Sequence, residues 1–501
     1  MITIKINNIH STIEGHIPSS IENKFNVFVP GYKYMWEFKA KKWNGKHKLL
    51  DNNTFSTGLL PKVIEALKKE RLQFEIEDNR VTSTLGIKAT KIELRDYQAD
   101  IVSKSLSNEL NGSWFPRGTI KSATGSGKSR IAAAIIDTVH VPTVFLTHKI
   151  DLVEQTRDRF LEQGIKCGAY TSETKDLKQR VTIGTIQSFL GFSKKFDKDK
   201  FFSKFFADIN NPQDYELEEA NDKWSAKIEK NIKDQKIIEK FFNRIEMVII
   251  DEAHLLCANR DSAGLFLKAL NMMPNAYIRL GLTATPKLDN DFSHLVAAGA
   301  TGELLCDYGN QELTDQGYLS KVSVTMHVMP NISKIPAKWP DCYDIGVVSY
   351  KPRNQKIIDA AISGAEAVLI LVTKVNHGRL LQELAQAKGF DIPFLFGEAS
   401  LDDRLRIAAA LANGSTKCVI ASTIWDEGID IPNIQTIILA GAGKSSIKNL
   451  QRVGRGMRTA DGKTGLKVID FYDKHSTTLY RHSKIRERLW LDQGFEVKVT
   501  I

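Results

Sequence analysis

The sequence predicts an α/β protein in which two tandem parallel-sheet domains follow a small α+β N-terminal domain. Three observations carry this. From about residue 89, short fully apolar runs alternate with helical stretches, as in strands buried on both faces of a parallel sheet. The alternation restarts in the second half of the chain, at 368–372, so there are two such units. Ahead of them Ile2, Ile4 and Ile6 alternate with polar residues, the period of a half-buried strand. The expected boundaries are 1–88, 89–310 and 311–501, within the range for a chain of 501 residues.

In the N-terminal region the composition changes at Tyr32. Tyr32, Tyr34, Trp36, Phe38 and Trp43 interleave with Lys33, Lys39, Lys41, Lys42, Lys46 and Lys48, against the single acid Glu37. Alternation from Tyr32 to Phe38 predicts a strand with its four rings on one face, and Trp43-Asn44-Gly45-Lys46 is a hairpin-turn signal. The rings read as the core of the small domain. The lysines read as a DNA-backbone contact surface, since so many cations repel one another without a counter-anion. An amphipathic helix over 59–72 follows, with Val63, Ile64 and Leu67 on one side.

In the first unit a β-prone segment, 118–121, leads into Ser122-Ala123-Thr124-Gly125-Ser126-Gly127-Lys128-Ser129 and then an apolar helical run at 131–136. A Gly-rich turn between strand and helix points backbone N–H groups and a helix N-terminus at a phosphate chain. Thr124, Gly125, Ser126 and Gly127 would cradle it, Lys128 would reach the β/γ-phosphates and Ser129 would hold Mg²⁺. Upstream, Leu94-Arg95-Asp96-Tyr97-Gln98 opens a helix, and the Gln98 amide suits adenine recognition. Strands at 144–146 and 181–188 lead to Thr147-His148 and to Thr185, Gln187 and Ser188, small polar groups suited to gripping phosphates. The apolar strand 247–250 ends in Asp251-Glu252-Ala253-His254. Two carboxylates at a strand end, opposite a phosphate loop, suit Mg²⁺ holding by Asp251 and water orientation by Glu252. The strand 278–282 ends in Thr283-Ala284-Thr285, whose hydroxyls can bond the Asp251-to-His254 segment. Residues 190–245 read as a mostly helical insertion, either a surface elaboration or a strand-separating wedge.

The second unit predicts strands at 368–372, 394–396, 418–421, 436–439 and 466–469. Gln451, Arg455 and Arg458 fall at i, i+4 and i+7, so a helix would put them on one face, where two guanidiniums suit a triphosphate. A second Gly-Lys-Ser sequence, Gly441-Ala442-Gly443-Lys444-Ser445, also follows an apolar strand, but matches to so short a pattern arise by chance and strand–loop–helix context favours the first. The Gly-containing turn after 418–421 carries polar groups, Thr423 among them, and its Gly428 and Asp430 would couple nucleotide to nucleic acid.

The formal net charge of +10 favours a polyanionic partner. Five scattered cysteines without a Cys-x-x-Cys pair argue against a disulfide framework and a zinc site and for a reducing compartment. No run reaches membrane-spanning length, and Met1 to Ile6 lack a signal-peptide core, so a cytoplasmic protein with no membrane partner is expected.

With these motifs in order over 94–458, the chain resembles superfamily 2 helicases and translocases. Ser122 and Ser129 depart mildly from the commonest pattern. The resemblance implies two RecA-like domains using ATP and Mg²⁺. Lys128, Ser129, Asp251 and Glu252 would come from one domain, and Gln451, Arg455 and Arg458 from the other; Arg95, Gln98, Gly428 and Asp430 would join the nucleotide site. Nucleic acid would touch Thr147, His148, Thr185, Gln187, Ser188, Thr423, Lys444 and Ser445. Gly31-Tyr32, Trp43-Asn44-Gly45, Leu49-Leu50, Thr57-Gly58-Leu59 and the basic helix also resemble the leading domain of phage UvsW-type recombination helicases. That implies work on branched or forked DNA with single- and double-stranded arms, and on RNA–DNA hybrids in R-loops. It also implies host-cell cytoplasm if the chain is phage-encoded, and a monomer or weak oligomer. The alternatives are a duplex-DNA translocase, an RNA-duplex ATPase, and an ATP-gated DNA clamp that does not unwind.

Overall fold

The computed structural model describes residues 1–82, 87–191, 198–205, 214–257, 260–285, 290–330, 335–336, 338–364, 367–422, 433–460 and 462–501. The chain divides into two compact units, 1–121 with 129–307 and 122–128 with 308–501. Among the described residues no helix is long and apolar enough to cross a membrane.

The N-terminal strands are β1 (Ile2–Ile6), β2 (His10–Glu14), β3 (Asn26–Phe28), β4 (Lys46–Lys48), β5 (Leu50–Asp51), β6 (Thr54–Ser56) and β7 (Phe74–Asp78). Five form a mixed sheet in the order β5-β6-β2-β1-β7, and β3 and β4 form a separate ribbon. The β1 alternation does its expected work, with Ile2, Ile4 and Ile6 all buried. The helix Leu60–Lys69 starts with a proline in its first turn and buries Leu60, Val63, Ile64, Ala66 and Leu67, leaving Lys68 and Lys69 in water.

The strand expected from Tyr32 to Phe38 does not form. Gly31 adopts φ +74°, and the chain then closes a 3₁₀ turn at Tyr32–Tyr34 and a helical turn at Trp36–Lys39. Tyr32 stacks on Phe28 (centroids 4.7 Å) and meets Phe38 edge-on (4.8 Å), contacts that an extended chain with all rings on one face would forgo. The rings therefore sort by side: Tyr32 and Trp43 pack on the core, whereas Tyr34 and Trp36 are 83% and 62% exposed. The turn at Trp43 to Lys46 is real, held by Trp43 Nε1 donating to the Lys46 carbonyl at 2.7 Å. It does not join adjacent strands, because β4 pairs with β3 across the whole 29–45 loop. Gly45 sits at φ +83°, and a Cβ there would lie 2.4 Å from the Tyr32 ring.

After the short hairpin β8 (Glu109–Leu110) and β9 (Ser113–Trp114), the first motor-like sheet is built from seven strands. They are β10 (Arg117–Ser122), β11 (Thr143–Thr147), β12 (Cys167–Tyr170), β13 (Val181–Thr185), β14 (Met247–Ile250), β15 (Ile278–Thr283) and β16 (Leu304–Tyr308), ordered β12-β13-β11-β14-β15-β10-β16. From β12 to β10 all neighbours pair in parallel. Between β13 and β14 lie the helices Lys198–Phe205 and Asp214–Asn243. They meet through Phe201 and Trp224 (centroids 5.2 Å), and the second is anchored by Ile238, Phe241 and Phe242 in the core beside Phe189.

The second unit repeats the plan with β17 (Val322–Val328), β18 (Val368–Leu371), β19 (Phe394–Leu395), β20 (Cys418–Ala421), β21 (Thr436–Leu439), β22 (Leu466–Tyr472) and β23 (Glu496–Thr500). These seven form a parallel sheet in the order β19-β20-β18-β21-β22-β17-β23. Its core carries a buried ionic network. Arg353 bonds Asp473 at 3.1 Å, and Arg486 bonds Asp470 through both carboxylate oxygens at 2.9 and 3.0 Å, with Trp490 Nε1 on the same carboxylate. Removing one partner would strand a buried charge.

Candidate functional site

The loop between β10 and the helix Lys128–Val139 has the conformation a phosphate loop needs. Gly125 and Gly127 adopt φ +88° and +79°, values that favour glycine, and the helix begins at Lys128 itself. The buried hydroxyls of Ser122 and Ser126 bond at 2.6 Å, bracing the loop from within, so the serine at position 122 has a structural use. The Lys128 ammonium donates to the carbonyls of Ser122 and Ala123 at 3.4 and 3.3 Å. Those long bonds hold it over the loop, where phosphate oxygens can replace them. Ser129 is half-buried in the first helical turn.

The carboxylate pair leaves the same edge of the sheet. Register places Lys121 of β10 opposite Thr283 and Ile250 of β14 opposite Gly281, so β15 separates the two strand ends. Asp251 is tied by its N–H to the Leu146 carbonyl at 2.9 Å, and its Oδ1 accepts the Glu252 N–H at 3.0 Å. Glu252 takes φ +50°, a left-handed backbone that non-glycine residues mostly avoid. Its Oε2 lies 3.2 Å from His254 Nδ1, which is also 3.1 Å from Thr283 Oγ1. The expected link between the β15 hydroxyls and this segment is therefore present, through a buried histidine. By residue type these groups suit a triphosphate with Mg²⁺: backbone donors and an ammonium for phosphate oxygens, a hydroxyl and carboxylates as hard oxygen donors for the cation. Among the described residues no group of three or more His, Cys, Asp or Glu is placed to hold a metal ion.

Other sequence-predicted residues fall in varied places. Gln98 is buried, and its Oε1 accepts the Arg95 N–H at 3.1 Å as part of a capping box on the helix Asp96–Leu106; Arg95 is exposed. Thr147 is buried, its hydroxyl bonding the Lys149 carbonyl at 3.1 Å. His148 lies near the carboxylate corner: burial holds its imidazole below the ordinary value, Glu252 opposes that shift, and Lys149 and His254 add to it. Thr185 and Ser188 bond one another at 2.8 Å where the helix Ile186–Gly191 starts, and Gln187 faces water. The strand expected to run to Ser188 thus ends at Thr185, whose hydroxyl takes the Ser188 N–H at 3.1 Å. Lys444 is exposed, and Ser445 caps the helix Ser446–Gly456. Thr423, Gly428 and Asp430 lie outside the described residues.

The expectation that Gln451, Arg455 and Arg458 share one helix fails at its last member. The helix stops at Gly456, where glycines at 454 and 456 weaken it, and Arg458 joins a β-bridge with Leu319. Sequence reasoning missed what holds this end. Lys463 donates to the carbonyls of Gly456 and Arg458, and burial pushes its ammonium pKa down to about 8.

At 33–44, Lys33, Lys39, Lys41, Lys42, Phe38, Trp43 and Asn44 line an open pocket of about 820 Å³. Lys48 is paired with Asp51 at 3.4 Å. The Lys42 ammonium lies 4.9 Å over the Trp36 ring, and that of Lys46 4.9 Å over Phe28.

Two stretches of the chain match models of known families. Residues 91–288 match the family model described as "Type III restriction enzyme, res subunit", and residues 353–460 match "Helicase conserved C-terminal domain". The chain is 24% identical over 459 residues to the DNA 3'-5' translocase XPB2 of Sulfurisphaera tokodaii, covering 83% of this chain and 89% of that one. It is 22% identical over 487 residues to the ATP-dependent DNA helicase uvsW of Enterobacteria phage T4, covering 90% and 85%. Among solved structures, S. cerevisiae Dbp5 bound to RNA and ADP BeF3 aligns with a TM-score of 0.52 at 14% identity, over 82% of this chain and 90% of that one, a likeness of fold. Two RecA-like domains matched in this order place the chain in superfamily 2, as an ATP-dependent helicase/translocase.

Proposed function

We propose that this motor acts on branched DNA, in fork regression, Holliday-junction branch migration and unwinding of D-loops and R-loops. The observation that carries the reading is the lysine-lined pocket at 33–44, which lies outside both matched motor segments and suits a second run of phosphates. The named DNA helicase and DNA translocase relatives support DNA as the track, and the UvsW-type motifs support the branched substrate. On this reading 1–88 is an accessory DNA-binding domain, and 89–310 and 311–501 are the helicase domains. Lys128 and the loop hold the phosphates, Ser129 and Asp251 hold Mg²⁺, and Glu252 orients the attacking water. Arg455 and Arg458 stabilise the charge on the transferred phosphoryl, with Gln451 beside them.

An unwinding panel tests it: forks, Holliday junctions, D-loops and R-loops against 5′- and 3′-tailed duplexes of equal length. Branched substrates should be processed faster; equal rates on tailed duplexes would overturn the branched reading. A second reading, a duplex-DNA translocase, is favoured by the 24% identical translocase relative. Displacement of a triplex strand from unbranched duplex, with ATPase stimulated as strongly by plain duplex as by forks, would select it.

A further inference from the structure

We infer that Trp36 is a stacking platform for an unpaired nucleobase, set at the edge of the lysine pocket with Tyr34 as its neighbour in sequence. The inference rests on the proposed DNA-binding role of that pocket. The stretch 32–43 sorts its rings: Tyr32 and Trp43 pack on the core, Phe38 meets Tyr32, and Tyr34 and Trp36 stay 83% and 62% exposed. A lone exposed ring would need no explanation. Trp36 is different because the Lys42 ammonium sits 4.9 Å over its ring, and Lys42 also lines the pocket with Lys33, Lys39 and Lys41. Ring and cations are thus contiguous.

That pairing selects the ligand. A π-face beside several ammonium groups fits a base and its flanking phosphates: the base stacks on the indole, and the lysines take the backbone. An intact duplex offers no base face to a protruding indole, since its bases are stacked on one another, so engagement needs an unpaired or terminal nucleotide. Branch points and their arms supply such nucleotides. The lysines alone bind phosphate and do not distinguish paired from unpaired strands, whereas the indole does.

The test is fluorescence anisotropy on the full chain, with a fork bearing an unpaired arm and a blunt duplex of matched length. Trp36→Ala should weaken fork binding roughly 5- to 150-fold, the stacking of one base, and change duplex binding less than about twofold. Trp36→Phe should recover most of the loss. The slope of log affinity against log salt should stay as in the parent. The double variant Lys39→Ala/Lys41→Ala should instead weaken both substrates and reduce that slope by about one for each phosphate no longer neutralised. Equal losses on fork and duplex with Trp36→Ala would overturn the stacking role. So would no loss on either. If the lysine variant still loses affinity in those cases, the DNA surface stands without the stack. If the lysine variant loses none, the surface itself is refuted.

Discussion

Replacing Glu252 with glutamine removes one carboxylate and little else. The side chain is 18% exposed, and its Oε2 sits 3.2 Å from His254 Nδ1. Glutamine can still present an oxygen to that ring. The left-handed backbone at φ +50° is borne by either residue at the same cost, of order 1–2 kcal/mol, so folding stability should move by less than about 1 kcal/mol. The bond from the Glu252 N–H to Asp251 Oδ1 is untouched. What disappears is the basic oxygen that would orient and deprotonate water. Positioned general bases contribute roughly 10²–10⁴-fold, or about 2.7–5.5 kcal/mol of barrier. The measurement is DNA-stimulated ATP hydrolysis at saturating ATP, with nucleotide Kd determined separately on the same preparation. Glu252→Gln should lower kcat by roughly 10²–10⁴ and change Kd by less than about threefold. A kcat within about threefold of the parent would refute the assignment of Glu252.

Lys128→Ala removes the ammonium that rests on the Ser122 and Ala123 carbonyls, and should reduce turnover to background with weakened ATP binding; normal ATP affinity would count against its phosphate role. Arg455→Ala should lower turnover by up to about 10³–10⁵ while nucleotide still binds, and lost binding with normal residual turnover would exclude a finger role. Gly58→Ala would put a Cβ 2.1 Å from the Ala298 carbonyl oxygen. It should destabilise the chain by about 1–3 kcal/mol in chemical denaturation, and an unchanged midpoint would show that the backbone there can yield. Burial lowers the Lys463 pKa from 10.5 to about 8, so between those values the unfolded chain binds the extra proton and stability rises with pH. Lys463→Met should flatten that rise in denaturation curves across the same window, and an identical slope would refute the shift.

The strands that were legible in the sequence are those whose environment is uniform. Met247 to Ile250 is buried residue for residue, so a continuous apolar run sufficed, and the residues after it fell at a strand end. The edge strand β23 escaped because Glu496–Thr500 stays half or fully exposed and has no apolar run to betray it. β17 escaped as well, since buried Val322, Val324 and Met326 alternate with Ser323 and Thr325 in a sheet otherwise read from unbroken runs. At Tyr32 to Phe38 the alternation was genuine but its cause was not a strand. Ring packing of Tyr32 between Phe28 and Phe38 outweighed the extended form, and neither partner's distance can be read from spacing. The phosphate loop was legible because its glycines are a local requirement. The left-handed Glu252 and the hydrogen bonds of Lys463 were not, because tertiary packing decides both.

The N-terminal region is not a detachable reader. Its core is continuous with the first motor-like domain: Phe55, Leu59 and Leu60 share one apolar cluster with Phe115, Phe292, Leu295, Val296 and Ala298. The fully buried guanidinium of Arg117 donates to the Asn8 carbonyl, and Arg80 bonds both Asp78 and the Trp114 carbonyl, at 2.7 and 2.8 Å. The ribbon that carries the lysine loop touches the helix Asp291–Thr301 itself, with His47 and Phe292 rings 5.9 Å apart. Deleting residues 1–88 would therefore strip cover from Phe292, Leu295 and Val296 and leave Arg117 without its acceptor, so a fall in DNA binding would mix unfolding with removal of the lysines. Point changes at Lys39 and Lys41 avoid this, since both face water. The same continuity bears on mechanism. The lysine surface is thus packed, through the shared core, on the same compact unit as the strand that ends at Glu252. If the lysines at 33–44 hold DNA as proposed, the apolar contacts of Phe55, Leu59 and Leu60 with Phe292, Leu295 and Val296 tie that DNA to the unit carrying Glu252.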